Sequence, residues 1–406
     1  MARAGKRILI YSHDSFGLGH LRRCRAIAHS LVQSDEGMSV LILSGSPIIG
    51  SFEFRDRVDY LRVPGIIKLK NGEYTSLSAD LNVEETLALR AAIIRDTADA
   101  FDPDLFLVDK EPLGLRGEIQ AALHLLKRRG ASLVLGLRDV MDEPDVLAVE
   151  WRRKKAMPAL SDHYDEVWIY GLPQICEPLS GLKVPPSVAR KLVYTGYLRR
   201  MVTAPPADTR ISAAPFGKDG YLLVTAGGGG DGGDMIDWVL RAYESSVGVP
   251  HPAFIVFGPF LDANRQAAFR RRVARLENVA ATTFDSQPES WISNARAVVA
   301  MGGYNTFCEI LSFDKRALIV PRTQPRLEQY IRADRAEELG LAKMLADDGE
   351  RDPEVMAVAL RQLPQQSPPS SVVLPGLLDG LENVNKLAAR LLAPGRRAPR
   401  VVRAHS

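Results

Sequence analysis

Short apolar runs alternate with amphipathic stretches over most of the chain. The runs 7–11, 39–43, 104–108, 132–137 and 166–170 are too short for helices and are bounded by turn formers, so they read as strands. After the first of them, Leu21, Cys24, Ile27, Ala28, Leu31 and Val32 fall on one face of a helix. Residues 83–100 and 115–129 show the same periodicity. Continuous Leu and β-branched runs separated by helices predict a parallel sheet covered on both faces.

The alternation stops at 201–220, a segment rich in Pro, Ala, Arg and Thr, and restarts with strand patterns at 221–225, 253–257, 279–284, 297–300 and 317–320. The pattern therefore predicts an α/β chain of two doubly wound, Rossmann-like domains, 1–200 and 221–370, joined by the linker. Ligands of such open sheets bind outside the carboxyl ends of the strands, so the two domains are expected to face a cleft there. Residues 371–393 carry Leu374, Leu377, Leu378, Leu381, Val384, Leu387, Ala388 and Leu391 at helical spacing. They predict a terminal helix that packs back on the first domain. The last segment, 394–406, reads as a disordered basic tail.

A net charge of +3 over 406 residues gives no reason to expect nucleic acid. Arg22-Arg23, Arg152-Arg153-Lys154-Lys155 and Arg270-Arg271-Arg272 read as solvated helix faces, with an acidic acceptor or a membrane surface as the other use of such clusters. Cys24, Cys176 and Cys308 have no paired spacing, so neither a disulfide framework nor a zinc site is expected. No apolar run approaches the ~18 residues that span a bilayer. His13 and Asp14 interrupt the first run too early for a signal peptide. The expected location is cytoplasmic, at most peripheral at the inner face of a membrane.

Four loops carry candidate chemistry. The first, "SFGLGHLRRC", holds Gly17, Gly19 and His20 between the first strand and the positive end of a helix. Its histidine is placed to touch a phosphate or to take a proton, and His13 at the same strand end competes for the second role. The second, "AGGGGDGG", puts Gly227, Gly228, Gly229 and Gly230 directly after a strand, where a backbone without side chains admits a diphosphate. It matches neither a Walker sequence nor the dinucleotide fingerprint. The third, "MGGYNTFCE", presents Gly302, Gly303, Asn305, Thr306 and Glu309. Thr306 with Glu309 fits a capping box, which would give Glu309 a purely structural use. The alternative is that Glu309 accepts hydrogen bonds from a ribose diol. The fourth, "PRTQPRLEQ", brings Glu328 and Gln329 to the start of the next helix.

This set resembles the glycosyltransferases of the GT-B architecture, and most closely the peptidoglycan-precursor N-acetylglucosaminyltransferase family and its relatives, grouped as glycosyltransferase family 28-like. The likeness is most specific where "MGGYNTFCEI" and "PRTQPRLEQYIRADRAEELG" stand at family-like spacing. It implies that Glu309 holds the donor ribose, that Glu328 and Gln329 lie near the donor sugar, and that the loop 227–233 receives the diphosphate of a UDP-sugar. Retaining relatives place glutamates eight positions apart, which here would be Met301 and Ala317 on either side of Glu309. Their absence implies an inverting displacement with His20 as general base, without a metal and without a cofactor. The implied partners are a nucleotide-sugar donor and a sugar, lipid-linked or small-molecule acceptor, in cell-envelope or exopolysaccharide synthesis. "GLGHLRRC" is also similar to the nucleotide-sugar hydrolases of the pseudaminic acid pathway, which use water as acceptor. A nucleotide-sugar-binding protein without turnover would keep the same loops.

Overall fold

A computed structural model describes residues 5–14, 18–68, 73–77, 80–202, 216, 220–227, 230–283 and 289–393. Gly17, Gly228, Gly229, most of the linker and the basic tail lie outside them. The chain divides into two compact units, one of residues 1–173, 177–198 and 379–406 and one of residues 174–176 and 199–378.

In the first unit, β1 (Lys6–Ser12), β2 (Met38–Ser44) and β3 (Val58–Arg62) are followed by a small antiparallel pair, β4 (Ile66–Lys68) and β5 (Tyr74–Ser76). The sheet then continues through β6 (Leu105–Asp109), β7 (Ser132–Arg138), β8 (Glu166–Tyr170) and β9 (Leu192–Tyr194). Its helices are α1 (Gly19–Ser34), α2 (Val83–Phe101), α3 (Gln120–Arg128), α4 (Pro144–Arg153), α5 (Ala156–Asp162) and α6 (Pro186–Ala189). The strand order is β3-β2-β1-β6-β7-β8-β9, all parallel. Strand β6, Leu-Phe-Leu-Val-Asp, is buried along its whole length, as a strand covered on both faces must be. The sequence does not announce the edge strands β3, which carries Asp59 and Arg62, and β9, which has three residues.

Two helical expectations need correction. The segment 115–129 is helical only from Gln120, because Arg116 and Gly117 adopt positive φ and break the ladder. The terminal helix, α13, runs from Gly380 to Leu391, so Leu374, Leu377 and Leu378 belong to a turn before it. It does pack on the first unit: Asn385 Nδ2 donates to Ser30 Oγ of α1 at 2.9 Å, and Asn383 Nδ2 to the Thr195 carbonyl at 2.8 Å.

The second unit has β10 (Leu222–Thr225), β11 (Ala253–Val256), β12 (Val279–Thr282), β13 (Ala297–Ala300), β14 (Arg316–Ile319) and β15 (Lys343–Met344). Its helices are α7 (Gly233–Glu244), α8 (Ala263–Val273), α9 (Glu289–Asn294), α10 (Tyr304–Ser312), α11 (Glu328–Glu338) and α12 (Pro353–Gln362). The order is β12-β11-β10-β13-β14-β15, again parallel. Both units are mixed α/β and Rossmann-like, as the pattern predicts. In each, the chain first winds one way from a central strand and then returns to its other side. The winding direction therefore reverses between β1 and β6 in one unit, and between β10 and β13 in the other. A crevice outside the carboxyl ends of the strands opens at such a reversal.

Candidate active site

At the β1/β6 reversal of the first unit, His20 occupies the first turn of α1 and Asp109 the last position of β6. The His20 Nδ1 and Asp109 Oδ2 atoms are in hydrogen-bond contact. An ionised carboxylate only accepts, so Nδ1 carries the hydrogen and Nε2 keeps its lone pair. Arg23, one helical turn further along α1, donates from Nε and Nη2 to Asp109 Oδ1 at 2.8 and 2.7 Å, and from Nη2 to Oδ2 at 2.8 Å. Burial works to raise the Asp109 carboxyl, but Arg23 and then His20 outweigh it and hold it well below the usual carboxylate range. Burial lowers the His20 imidazole from its ordinary value, with Asp109 opposing. The contact with Asp109 orients the ring, whose side chain is 14% exposed.

His13, the competing histidine, sits in a different network. Its Nδ1 lies 3.3 Å from Tyr11 Oη, which donates to Glu118 at 2.6 Å, and Glu118 is held by Arg90 Nε and Nη2 at 2.6 and 2.7 Å. Burial pushes the His13 imidazole well down, with Glu111 opposing. The nearby Asp14 receives the Leu21 N–H at 3.2 Å and Ser44 Oγ–H at 2.5 Å. A carboxylate of the protein thus occupies a free amide of the first turn of α1, where an anion would otherwise bind.

At the β10/β13 reversal of the second unit, Gly227 follows β10 with φ +70°, and a Cβ there would lie 3.7 Å from Thr306 Oγ1. The glycine loop and the start of α10 are therefore side by side. Gly302 also requires a positive φ, +76°, and a Cβ would come within 2.7 Å of Ile319. Gly230 and Gly232 have packing reasons to be glycine, since added Cβ atoms would stand 2.7 Å from the Phe260 carbonyl and 2.2 Å from Ala226 Cβ. Gly303 has none: its φ is −59°, and a Cβ would meet no described atom within 4 Å.

The capping-box use of Thr306 and Glu309 does not hold. Gly303 is the cap of α10, so Thr306 is already inside the first turn and Glu309 lies in the second, 2% exposed. Asn305 accepts from Arg200 Nη2 at 2.8 Å. Glu328 and Gln329 open α11, and Arg322 ties them to the glycine loop. Its Nη2 reaches Glu328 at 3.0 Å, its Nη1 reaches Asp231 at 2.9 Å, and its backbone N–H donates to Gln329 Oε1 at 3.2 Å.

Residues 254–369 match the glycosyltransferase family 28 C-terminal domain. The chain is a glycosyltransferase of the GT-B type. An uncharacterized glycosyltransferase of Methanosarcina acetivorans is 26% identical over 385 residues, 91% of this chain and 95% of that one. Among solved structures, Medicago truncatula UGT71G1 complexed with UDP-glucose is similar over 97% of this chain and 99% of its own, with 12% identity and a TM-score of 0.64. Acinetobacter baumannii MurG is similar over 94% and 95%, with 14% identity and a TM-score of 0.54.

In this glycosyltransferase the matched segment holds Gly302, Gly303, Asn305, Thr306, Glu309, Glu328 and Gln329, and the loop at Gly227 and Gly230 precedes it. The structure also supplies residues that the sequence reading passes over. Asp109 ends an apolar strand, and a lone acid at the carboxyl end of a strand is the signal that marks it. Arg23 belongs to a pair of arginines expected on a solvated face. It is instead 2% exposed and bound to Asp109. Among the described residues, no helix is long and apolar enough to cross a membrane.

Proposed function

We infer that the enzyme transfers a sugar from a UDP-sugar to an acceptor hydroxyl with inversion at the anomeric carbon. The observation that carries this reading is the oriented His20–Asp109 pair at the β1/β6 reversal. His20 Nε2 accepts the hydroxyl proton as the acceptor oxygen attacks, and Asp109 stabilises the imidazolium that forms. The leaving diphosphate is received by the loop at Gly227 and by the amides at Gly303 and the start of α10, which supply positive ends of dipoles without a metal. Glu309 accepts from the ribose diol, and Glu328 and Gln329 contact the donor sugar. UDP as the nucleotide is supported by the UDP-glucose bound to the Medicago relative.

The test is release of UDP from a panel of UDP-sugars, with and without candidate hydroxyl acceptors. Release that depends on an acceptor upholds transfer. Equal release in water alone makes the enzyme a hydrolase, and no release under any condition leaves only binding.

Two substitutions probe the donor site. Glu309→Ala is expected to weaken nucleotide-sugar binding by about 10- to 150-fold, the loss of charge-assisted hydrogen bonds of roughly 1.5–3 kcal/mol. Calorimetric titration measures it, and an unchanged affinity would remove Glu309 from the ribose site. Gly303→Ala is expected to leave folding stability within about 0.5 kcal/mol, since the new methyl meets open space. It should nevertheless weaken UDP binding, because the methyl stands where a phosphate oxygen must approach. Denaturant unfolding and UDP titration on the same sample separate the two effects.

A further inference from the structure

Arg23 neither donates nor accepts a proton in the transfer, yet its guanidinium contacts both His20 and Asp109. Its guanidinium lies in the fold's interior with Nε and Nη2 on Asp109 Oδ1, and Nη2 also on Oδ2. The same Nη2 is 3.1 Å from His20 Nδ1. Nδ1 already directs its hydrogen to Asp109, so this contact sets a donor beside a donor and a positive charge beside the ring. The carboxylate is held on one edge by a planar fork and on the other by the imidazole. It can neither rotate away from His20 nor accept the ring proton.

A histidine beside a buried carboxylate without further charge is drawn toward the imidazolium, a form that cannot serve as a base. The groups that face His20 are Asp109 and Lys110 at the end of β6, Arg23 on its own helix, and His13 and Asp14 after β1. Tyr170 faces Asp109 from β8 and is neutral, its hydroxyl pushed up first by burial and then by Asp109. Arg23 touches both members of the pair.

We propose that Arg23 is a positioning residue of the transfer reaction, locking Asp109 in place and keeping the His20–Asp109 pair ready to accept a proton at neutral pH. This rests on the reading of His20 as the base. It predicts two separable effects. Arg23→Met keeps the bulk of the stem and removes the charge. The acid limb of kcat/KM should then move up by about one pH unit or more, with activity recovering on the alkaline side. Arg23→Lys keeps the charge and loses the fork. Its acid limb should stay in place, while kcat falls by roughly ten- to a hundredfold through misalignment, with donor KM unchanged.

The His20 ring proton, followed by NMR titration of the full chain, gives a readout independent of turnover. It should titrate at higher pH in Arg23→Met than in the native protein. If both the ring titration and the acid limb of Arg23→Met stay at the native position, the proposal is overturned. If the ring titration moves and the acid limb does not, Arg23 governs the imidazole but His20 is not the base. Should Arg23→Met fail to fold, Arg23→Lys decides: native kcat in that variant overturns the proposal.

Discussion

Replacing His20 with alanine is expected to lower kcat by about 10²–10⁴-fold, the contribution of a well-placed general base. UDP affinity should not change, because Gly227, Gly303 and Glu309 all belong to the other compact unit. The pH profile gives the sharper check. Burial lowers the His20 imidazole below its ordinary value of about 6.5, so the native enzyme should keep its rate on moderate acidification and lose it only below that pH. The alanine variant should lose this limb altogether. His20→Gln retains a polar side chain of similar reach but cannot accept a proton near neutrality, and it should be almost as slow. A glutamine variant with most of the native kcat would reduce His20 to a contact and move the base to His13.

The parallel sheets are legible in the sequence because their strands are buried on both faces and appear as continuous apolar runs. The edge strands β3, β9 and β15 are not, since Asp59 and Arg62 interrupt β3, β9 has three residues and β15 two. The terminal apolar spacing extends to Leu374 although the helix begins at Gly380, because the half-buried leucines of the preceding connection carry the same spacing as helical ones. On the chemical side, glycines and a histidine after a strand mark a site through local rules. Asp109 lies 89 residues from His20, and only the pairing of β1 with β6 brings the two together. The burial of Arg23 is equally invisible locally. An arginine on an amphipathic helix is ordinarily solvent-facing, and here a carboxylate on the neighbouring strand reverses that preference. The capping-box pattern at Thr306 and Glu309 misleads for a related reason: Gly303 caps the helix and shifts its start three residues upstream of the pattern.

Asp109→Ala is expected to damage the protein twice. The side chains of Arg23 and Asp109 are 2% and 3% exposed, and removing one partner leaves a buried guanidinium without its counter-charge. Breaking such a pair costs about 3–5 kcal/mol, which denaturant unfolding of the variant resolves readily. Asp109→Asn keeps the shape of the side chain and removes its charge. Its neutral amide neither balances Arg23 nor stabilises an imidazolium, and where it turns its NH2 toward Nδ1 it favours the ring tautomer with the hydrogen on Nε2, which has no lone pair for the acceptor. Turnover of Asp109→Asn should therefore approach that of His20→Ala, and the double variant should be no slower than either single one, because the two residues act as one unit. The native pair also sets an acid limit to folding. The Asp109 carboxyl titrates well below its unfolded value of about 3.9, so its stabilisation is complete above that pH and is lost as pH falls toward the folded-state value. Asp109→Asn should lack this acid-dependent component. If its stability falls on acidification just as the native protein's does, and its kcat is close to native, the Arg23–Asp109–His20 arrangement serves neither folding nor catalysis.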